Sequence, residues 1–218
     1  MGKIVFLASG HGGADPGAVA NGLKEKDINL VTMLACKSEL ERHGVTVITN
    51  RTTDVDVSLA DKCVKANKSG AEIAVSFHAN AGGGDGFEVF YYSTSTKGKK
   101  LAGLCEKYAK KLGQNSRGLK SGDHLYFVKN TSMPAVLVES AFLDNSTDKK
   151  IIDTKAEQEA FGVAYAKAIL EYLGISYVEP VTVSDKIYRV QVGAFSKKEN
   201  AEKLAYELKV KGYSVIVV

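Results

Sequence analysis

Ser9-Gly10-His11-Gly12-Gly13-Ala14-Asp15-Pro16-Gly17-Ala18 surrounds a single histidine with glycines, directly after the apolar run at residues 4–8. An apolar run of this length, rich in β-forming residues and followed by turn residues, predicts a buried strand. Glycines permit positive φ angles and let a ligand or a second segment approach closely. His11 is therefore expected at a strand end, where a metal ion or a reacting group can bind. Taken alone, the pattern also fits a tight loop in which His11 caps a neighbour.

The bulk composition is that of an ordinary globular protein. The chain has 218 residues, of which 44% are hydrophobic and 25% charged, enough for one sizeable domain and a smaller unit. The formal net charge of +4 is mild. It does not indicate a nucleic-acid partner, although it suits an anionic polymer such as a cell wall. No apolar run reaches membrane-spanning length, so we expect no membrane partner either. The oligomeric state is left open.

The cysteines and the N-terminus bear on the compartment. Cys36, Cys63 and Cys105 are odd in number, widely spaced and placed in predicted helices, so we expect buried free thiols and synthesis in a reducing compartment. The short apolar run after Met-Gly-Lys does not fit a signal peptide. We therefore expect cytoplasmic synthesis, and an action outside the cytoplasm would require release by another agent, such as lysis.

Strand and helix patterns alternate along most of the chain. The pattern predicts strands at 4–8, 45–49, 72–78, 86–92, 125–128 and 135–139, and helices at 26–43, 58–67, 97–112 and 155–173. This alternation predicts an α/β fold with a mixed, mostly parallel sheet flanked by helices. Ligands bind at the carboxyl ends of such strands. His11, His78 and Glu139 all follow or end an apolar strand, so we expect them at one edge.

The C-terminal segment has a different organisation. Residues 176–186 show no helical period and are interpreted as a linker between a main domain at 1–175 and a small unit at 187–218. The small unit is predicted as a βαβ half-module, with strands at 188–195 and 213–218 and a helix capped by Ser196. Six basic and three acidic residues give it most of the chain's positive charge.

Three residues form a candidate metal set. Zinc in hydrolytic sites commonly takes three protein ligands from histidine and carboxylate side chains. His11, Glu25 and His78 supply that set, with Glu25 just before a predicted helix and able to turn back over the strand end. Individually, Glu25 also fits a solvated charge at a helix N-terminus, and His78 fits a core histidine.

Glu139 differs because it follows the apolar residues 135–138, where a carboxylate is costly unless it is paired or near a metal. One hypothesis is a general base that takes a proton from zinc-activated water and passes it to the leaving amine. The alternative is a buried salt bridge with Arg51 or Lys62.

Other polar residues are weaker candidates. His43 lies at a predicted helix end, where a cation suits the helix dipole, and a ligand role there is not expected. His124 is a possible substrate contact. Asp15, Asn80 and Arg51 are candidates for lining the cleft or orienting ligands, and spacing does not choose among these roles.

Four separated motifs carry a family resemblance. They are Gly10-His11-Gly12-Gly13 with Asp15 and Gly17-Ala18; Gly22-Leu23-Lys24-Glu25 with Asn29; Val75-Ser76-Phe77-His78-Ala79-Asn80-Ala81; and Met133-Pro134-Ala135-Val136-Leu137-Val138-Glu139 with Phe142 and Asn145. In this order they resemble the family 3 catalytic domain of the zinc-dependent N-acetylmuramoyl-L-alanine amidases, over residues 3–173.

The resemblance implies a function and a role for each site residue. It implies that zinc is held by His11, Glu25 and His78 and that Glu139 is the catalytic glutamate. The implied substrate is peptidoglycan, cleaved between the lactyl group of N-acetylmuramic acid and L-alanine, by a phage endolysin or a bacterial autolysin. The family's Arg-x-x-Asp motif fits Arg51 and Asp54. Lys62 stands where an arginine is usual, a departure expected to affect helix packing more than the metal.

Residues 188–213 resemble the first half of a SPOR repeat, a peptidoglycan-binding module, so residues 187–218 are expected to bind the wall weakly at best. Two rival functions stay open. A zinc carboxypeptidase-like enzyme would need a basic residue for a terminal carboxylate, and Arg117 is the obvious candidate. A non-catalytic wall-binding protein would need a decayed site, which the complete set of candidate residues argues against.

Overall fold

The computed structural model describes residues 2–180, 190–213 and 215–217. Its contacts divide the chain into two compact units, Met1–Val178 and Glu179–Val218. The first unit carries every strand of the described chain.

Eight strands and seven helices are found in the described residues. The strands are β1 (Ile4–Ser9), β2 (Val19–Ala20), β3 (Leu23–Lys24), β4 (Thr46–Thr49), β5 (Ile73–Asn80), β6 (Phe87–Tyr91), β7 (Ser116–Ser121) and β8 (Ala135–Phe142). The helices are α1 (Glu25–Arg42), α2 (Leu59–Lys68), α3 (Thr96–Lys110), α4 (Tyr126–Asn130), α5 (Ser146–Lys149), α6 (Lys155–Leu173) and α7 (Lys198–Val210).

The main sheet has six strands in the order β4-β1-β5-β8-β6-β7. All neighbouring pairs are parallel except β6 and β8, which are antiparallel. Strands β1, β5 and β8 lie in the interior of the sheet and are almost wholly buried, with mostly apolar residues, as suits strands covered on both faces. The expected mixed, mostly parallel sheet flanked by helices is confirmed.

The two faces of the sheet differ in how far they are covered. One face packs against α1, α3 and α6 in a large core that includes Val75, Phe77, Val136 and Val138. The opposite face carries a smaller core, in which Phe6 and Ala74 pack with residues of α2 and α4. This second face bears His78 and Glu139, because side chains along a strand alternate between faces.

Local signals set the helix boundaries largely as the sequence predicts. Helix α1 is followed by Gly44, whose φ of 75° is a left-handed value that suits glycine. The Ser58 side chain accepts a hydrogen bond from the backbone N–H of Asp61 at the start of α2. Thr154 and Glu157 form a capping box at the start of α6.

One predicted strand is wrong. Residues 125–128 lie in and beside the short helix α4, whereas the edge strand β7 forms at 116–121, where the sequence pattern predicts no strand. Phe127 of α4 lies under the sheet, with its ring centroid 6.4 Å from that of Phe6. Tertiary packing therefore overrides the β-propensity of this short apolar run. Strand β7 is held by its ladder with β6 rather than by an apolar pattern of its own.

In the second unit the predicted helix is confirmed as α7, but Ser196 is not its cap: the N-cap is Lys197, without a side-chain cap bond. Residues 190–195, 213 and 215–217 are not in paired strands, and the rest of the predicted strands falls outside the described residues. The three cysteines are free and buried, as expected. None of the described helices is long and apolar enough to cross a membrane.

Candidate metal centre and active site

His11 lies in the loop that follows β1, with a positive φ of 55°. The loop closes tightly on the site. A Cβ added at Gly10 would lie 2.3 Å from the His78 ring, and one added at Gly17 would lie 2.5 Å from a carboxylate oxygen of Glu25. Only glycine allows the backbone to pass this close to the three candidate ligands.

Glu25 opens α1 and is 5% exposed. Its Oε1 lies 3.2 Å from Nε2 of His11 and 2.9 Å from Nδ1 of His78. The same oxygen accepts a hydrogen bond from Nδ2 of Asn29, and Oε2 accepts one from the backbone N–H of Ala18. Both oxygens are therefore fixed in place, with Oε1 between the two imidazoles.

Each of the two histidines contacts a further polar group through the ring nitrogen that does not face Glu25. Nδ1 of His11 contacts Asp15 Oδ2 at 2.7 Å, which leaves Nε2 directed at Glu25. Nε2 of His78 lies 3.1 Å from the hydroxyl of Ser76, which leaves Nδ1 directed at the same place. Partners of this kind fix the tautomer and the ring orientation of metal-binding histidines.

The pKa values of these groups move in directions set by their contacts. The hydrogen bond with Glu25 raises the pKa of His11, whereas burial lowers the pKa of His78. Burial raises the pKa of Glu25, but hydrogen bonds from His11 and His78 outweigh it and hold that pKa well below its usual range. The bond with His11 likewise lowers the pKa of Asp15. The arrangement favours an ionised Glu25.

Candidate ligand atoms of His11, Glu25 and His78 all lie within 4.8 Å of one another. Zinc–ligand bonds of about 2.0–2.1 Å in a tetrahedron put neighbouring ligand atoms about 3.3 Å apart. The observed nitrogen–oxygen separations of 3.2 Å and 2.9 Å are close to that value. Two nitrogens and one anionic oxygen also form a donor set that zinc accepts. The residues present therefore fit a zinc ion.

Glu139 is on β8, in register with His78 on β5. Registered neighbours project from the same face, so the Glu139 carboxylate lies beside the three candidate ligands. Its Oε2 is buried and has no hydrogen-bond partner among the described residues. Burial, reinforced by the charges of Glu25 and Glu88, raises the pKa of Glu139 well above its usual range.

The structure excludes the expected alternative for Glu139, a salt bridge with Arg51 or Lys62. Arg51 instead donates to the backbone carbonyls of Gly10 and Lys26, and so braces the glycine loop. Lys62 is buried in α2, and burial lowers its pKa. Neither side chain is paired with Glu139.

The other two histidines lie apart from the three candidate ligands. Both ring nitrogens of His43 have partners at the far end of α1: Nδ1 contacts the carbonyl of Glu39, and Nε2 accepts from the N–H of Val178. The His124 ring meets Phe90 edge-on, with centroids 6.1 Å apart.

Sequence reasoning missed one part of the site. Glu88 on β6 is in register with Glu139 and is 4% exposed. It binds Arg117 and Lys120 through Oε1 and accepts a hydrogen bond from Asn80 through Oε2. A glutamate in the middle of the apolar run 86–92 was the available signal, but its neighbours depend on the strand order.

Both units of the chain have relatives among known proteins. Residues 5–171 match the family model described as N-acetylmuramoyl-L-alanine amidase, and residues 174–218 match the SPOR domain. The amidase CwlM of Bacillus licheniformis is 34% identical over 220 residues, covering 98% of this chain and 84% of CwlM. The endolysin of Bacillus phage SPP1 is 41% identical over 184 residues, covering 80% of this chain and 68% of the endolysin.

Solved structures give the same result for the first unit. The N-acetylmuramoyl-L-alanine amidase from Clostridium difficile 630 aligns with a TM-score of 0.75 at 28% identity, covering 79% of this chain and 97% of that one. The catalytic domain of CwlV from Bacillus (Paenibacillus) polymyxa var. colistinus aligns with a TM-score of 0.74 at 30% identity, covering 80% and 99%. The chain therefore belongs to the N-acetylmuramoyl-L-alanine amidase family, with a family 3 amidase domain followed by a SPOR domain.

Proposed function

We propose that this chain hydrolyses the amide bond between the lactyl group of N-acetylmuramic acid and the L-alanine of the peptidoglycan stem peptide, using zinc held by His11, Glu25 and His78. The observation that carries the proposal is the meeting of these three side chains beside the unpartnered carboxylate of Glu139. Relatives named N-acetylmuramoyl-L-alanine amidases support the choice of bond.

Each residue of the candidate metal centre has a defined task. Zinc in such a site supplies a Lewis acid that polarises a carbonyl oxygen and lowers the pKa of water toward neutrality. Glu25 contributes the negative charge that the two imidazoles lack. Asp15 and Ser76 keep one nitrogen of each histidine turned toward the ion, which spares the site reorganisation when the metal binds.

Glu139 is proposed as general base and then general acid. No hydrogen bond within the described residues engages the Glu139 carboxylate, so it can accept a proton from the attacking water without first breaking one. The protonated carboxyl group then gives this proton to the amide nitrogen, which leaves as an amine. Hydrolysis then requires no serine or cysteine nucleophile.

The SPOR match supports binding of the second unit to the cell wall. The relatives include both a sporulation-specific amidase of Bacillus subtilis and a phage endolysin, so an autolysin and an endolysin are both compatible with the proposal.

The test is the digestion of purified walls and of defined muropeptides, followed by mass analysis of the products. The proposal expects intact stem peptides that begin with a new N-terminal alanine, loss of the activity with a chelator and recovery with Zn²⁺. A carboxypeptidase would instead release C-terminal residues and leave the muramoyl–alanine bond whole, which would contradict the proposal. A non-catalytic wall binder would give no products at all.

A further inference from the structure

A second group of charges lies on the same sheet face as the candidate metal ligands. It consists of Glu88, Arg117 and Lys120 and is called here the Glu88 cluster. Oε1 of the buried Glu88 binds both Nε of Arg117 and Nζ of Lys120, so two cations share one carboxylate. The cluster therefore carries a net positive charge that its own members leave unbalanced.

Arg117 is held firmly but has donors to spare. Its Nε is taken by Glu88, and its guanidinium lies over the Phe142 ring, 5.3 Å from the ring centroid. Within the described part of the chain, the two terminal nitrogens Nη1 and Nη2 have no hydrogen-bond partner, and 42% of the side chain is exposed. A planar guanidinium with two free, solvent-facing nitrogens matches the geometry of an incoming carboxylate.

The register places this donor pair at a useful distance from the candidate metal ligands. His78, Glu139 and Glu88 are registered partners on three successive strands, β5, β8 and β6. Neighbouring strands are about 4.8 Å apart, so Glu88 lies about 10 Å across the sheet from His78. An extended peptide advances about 3.3 Å per residue. When the scissile bond lies at the three candidate ligands, the first stem-peptide residues beyond that bond therefore reach the Glu88 cluster.

We infer that Arg117, supported by Lys120, binds a free α-carboxylate on the acidic stem-peptide residue that follows L-alanine. This rests on the function proposed above. It makes Arg117 a specificity-determining residue: the carboxylate accepts both free guanidinium N–H groups, whereas its amide would turn an NH₂ group against one of them. Loss of a paired, charge-assisted contact of this kind is a strong basis for discrimination.

The test compares two synthetic substrates on the zinc-loaded full chain: N-acetylmuramoyl-L-alanyl-γ-D-glutamyl-L-lysine, and the same compound with the glutamyl α-carboxylate converted to an amide. For the unmodified chain we expect kcat/KM to favour the carboxylate about 10-fold, mainly through KM, as one charge-assisted contact would give. Arg117→Gln should bring that ratio to about 1, and Arg117→Lys should retain part of it, because the charge stays and the fork is lost.

Arg42→Gln is the matched control. Arg42 also pairs with a glutamate, Glu39, and also lies over an aromatic ring, that of Tyr177, but at the C-terminal end of α1. This change should leave the preference intact. A circular dichroism melt of each variant checks folding, and Lys120→Gln, which keeps Arg117, should reduce the ratio less.

Three outcomes would count against the inference. Equal kcat/KM for both substrates in the unmodified chain would overturn it, and so would a preference that survives Arg117→Gln in a folded protein. Failure to hydrolyse either substrate would instead overturn the proposed function, and with it the inferred binding of the α-carboxylate by Arg117.

Discussion

Glu25 is buried and Glu139 half-buried, both on the side of the sheet that carries the candidate ligands, and the surroundings of their carboxyl groups are opposite. Glu25 Oε1 faces two imidazoles and the Asn29 amide, while Oε2 accepts a backbone N–H. Oε2 of Glu139 faces no donor among the described residues. Accordingly, the pKa of Glu25 is held well below its usual range and that of Glu139 is raised well above it.

The difference matches what the two proposed roles, metal ligand for Glu25 and general base for Glu139, require of a carboxyl group. A carboxylate surrounded by donors stays ionised and suits a cation, whereas an isolated one can gain and lose a proton. The first is stabilised before any ligand arrives. The second costs folding free energy, because a buried polar atom has no partner. Each prediction below changes one side of this comparison.

The largest effect is expected from removing the charge of Glu25. Glu25→Gln keeps the shape but takes away the only anion between His11 and His78, so zinc should be lost on dialysis and hydrolysis should fall to background. Loss of a residue that only supports a metal ligand typically lowers metal affinity by up to about 100-fold. The decrease in zinc affinity in Glu25→Gln should be larger than that. Metal analysis and a wall-turbidity assay on the same sample measure both.

Asp27→Asn is the control, since Asp27 is an exposed acidic residue in the same first turn of α1. It should retain metal and activity. Full zinc occupancy in Glu25→Gln would mean that the ion is bound elsewhere.

A smaller effect on zinc affinity is expected from changing a residue that orients a candidate ligand. Asp15→Asn removes the carboxylate that holds Nδ1 of His11, and should weaken zinc binding about 10- to 100-fold without abolishing it. Competition with a chelator of known affinity measures the change. Asp153→Asn, in the surface pair with Lys149, is the matched change and should have no effect. Unchanged affinity in Asp15→Asn would show that His11 is oriented without Asp15.

The smallest effect is on stability, and its sign is opposite for the neighbouring glutamates. Folding raises the pKa of Glu139, so the folded state loses stability as pH rises above the unfolded value of about 4.3. In metal-free protein, Glu139→Gln should therefore be more stable than the unmodified chain by about 1–3 kcal/mol at pH 8. The gain should fade at pH 4. Urea unfolding at the two pH values measures it.

Glu88 is the internal control because it is in register with Glu139 but is paired. Burial raises the pKa of Glu88, yet hydrogen bonds from Lys120 and Arg117 hold it below its usual range. Glu88→Gln should therefore lose stability at pH 8, and the loss should shrink as pH falls through the carboxyl range. Equal changes in the two variants would contradict the contrast in their surroundings.

The residues of the candidate site could be predicted from the sequence more completely than the strands of the sheet. His11, His78 and Glu139 were predictable because each ends or follows an apolar run, and parallel strands bring the ends of such runs together, although β5 and β8 continue past His78 and Glu139. Glu25 was predictable as the carboxylate at the start of the next helix. The Glu88 cluster was not, because it depends on β6 lying between β8 and β7, antiparallel to β8 and parallel to β7. The strand predicted at 125–128, where the structure has α4, is wrong for a similar reason. Phe127 packs on Phe6, and this contact between residues far apart in the chain cannot be seen in the local sequence pattern.

The central claim is that Glu139 acts on the reaction and does not hold the metal. The most direct measurement is zinc content and turnover on one sample of Glu139→Gln, beside Glu25→Gln and the unmodified chain. We expect Glu139→Gln to retain one zinc per chain and to show no hydrolysis of a defined muropeptide. Loss of the zinc together with the activity would make Glu139 a ligand, and retained hydrolysis would remove it from the reaction; either result would contradict the account.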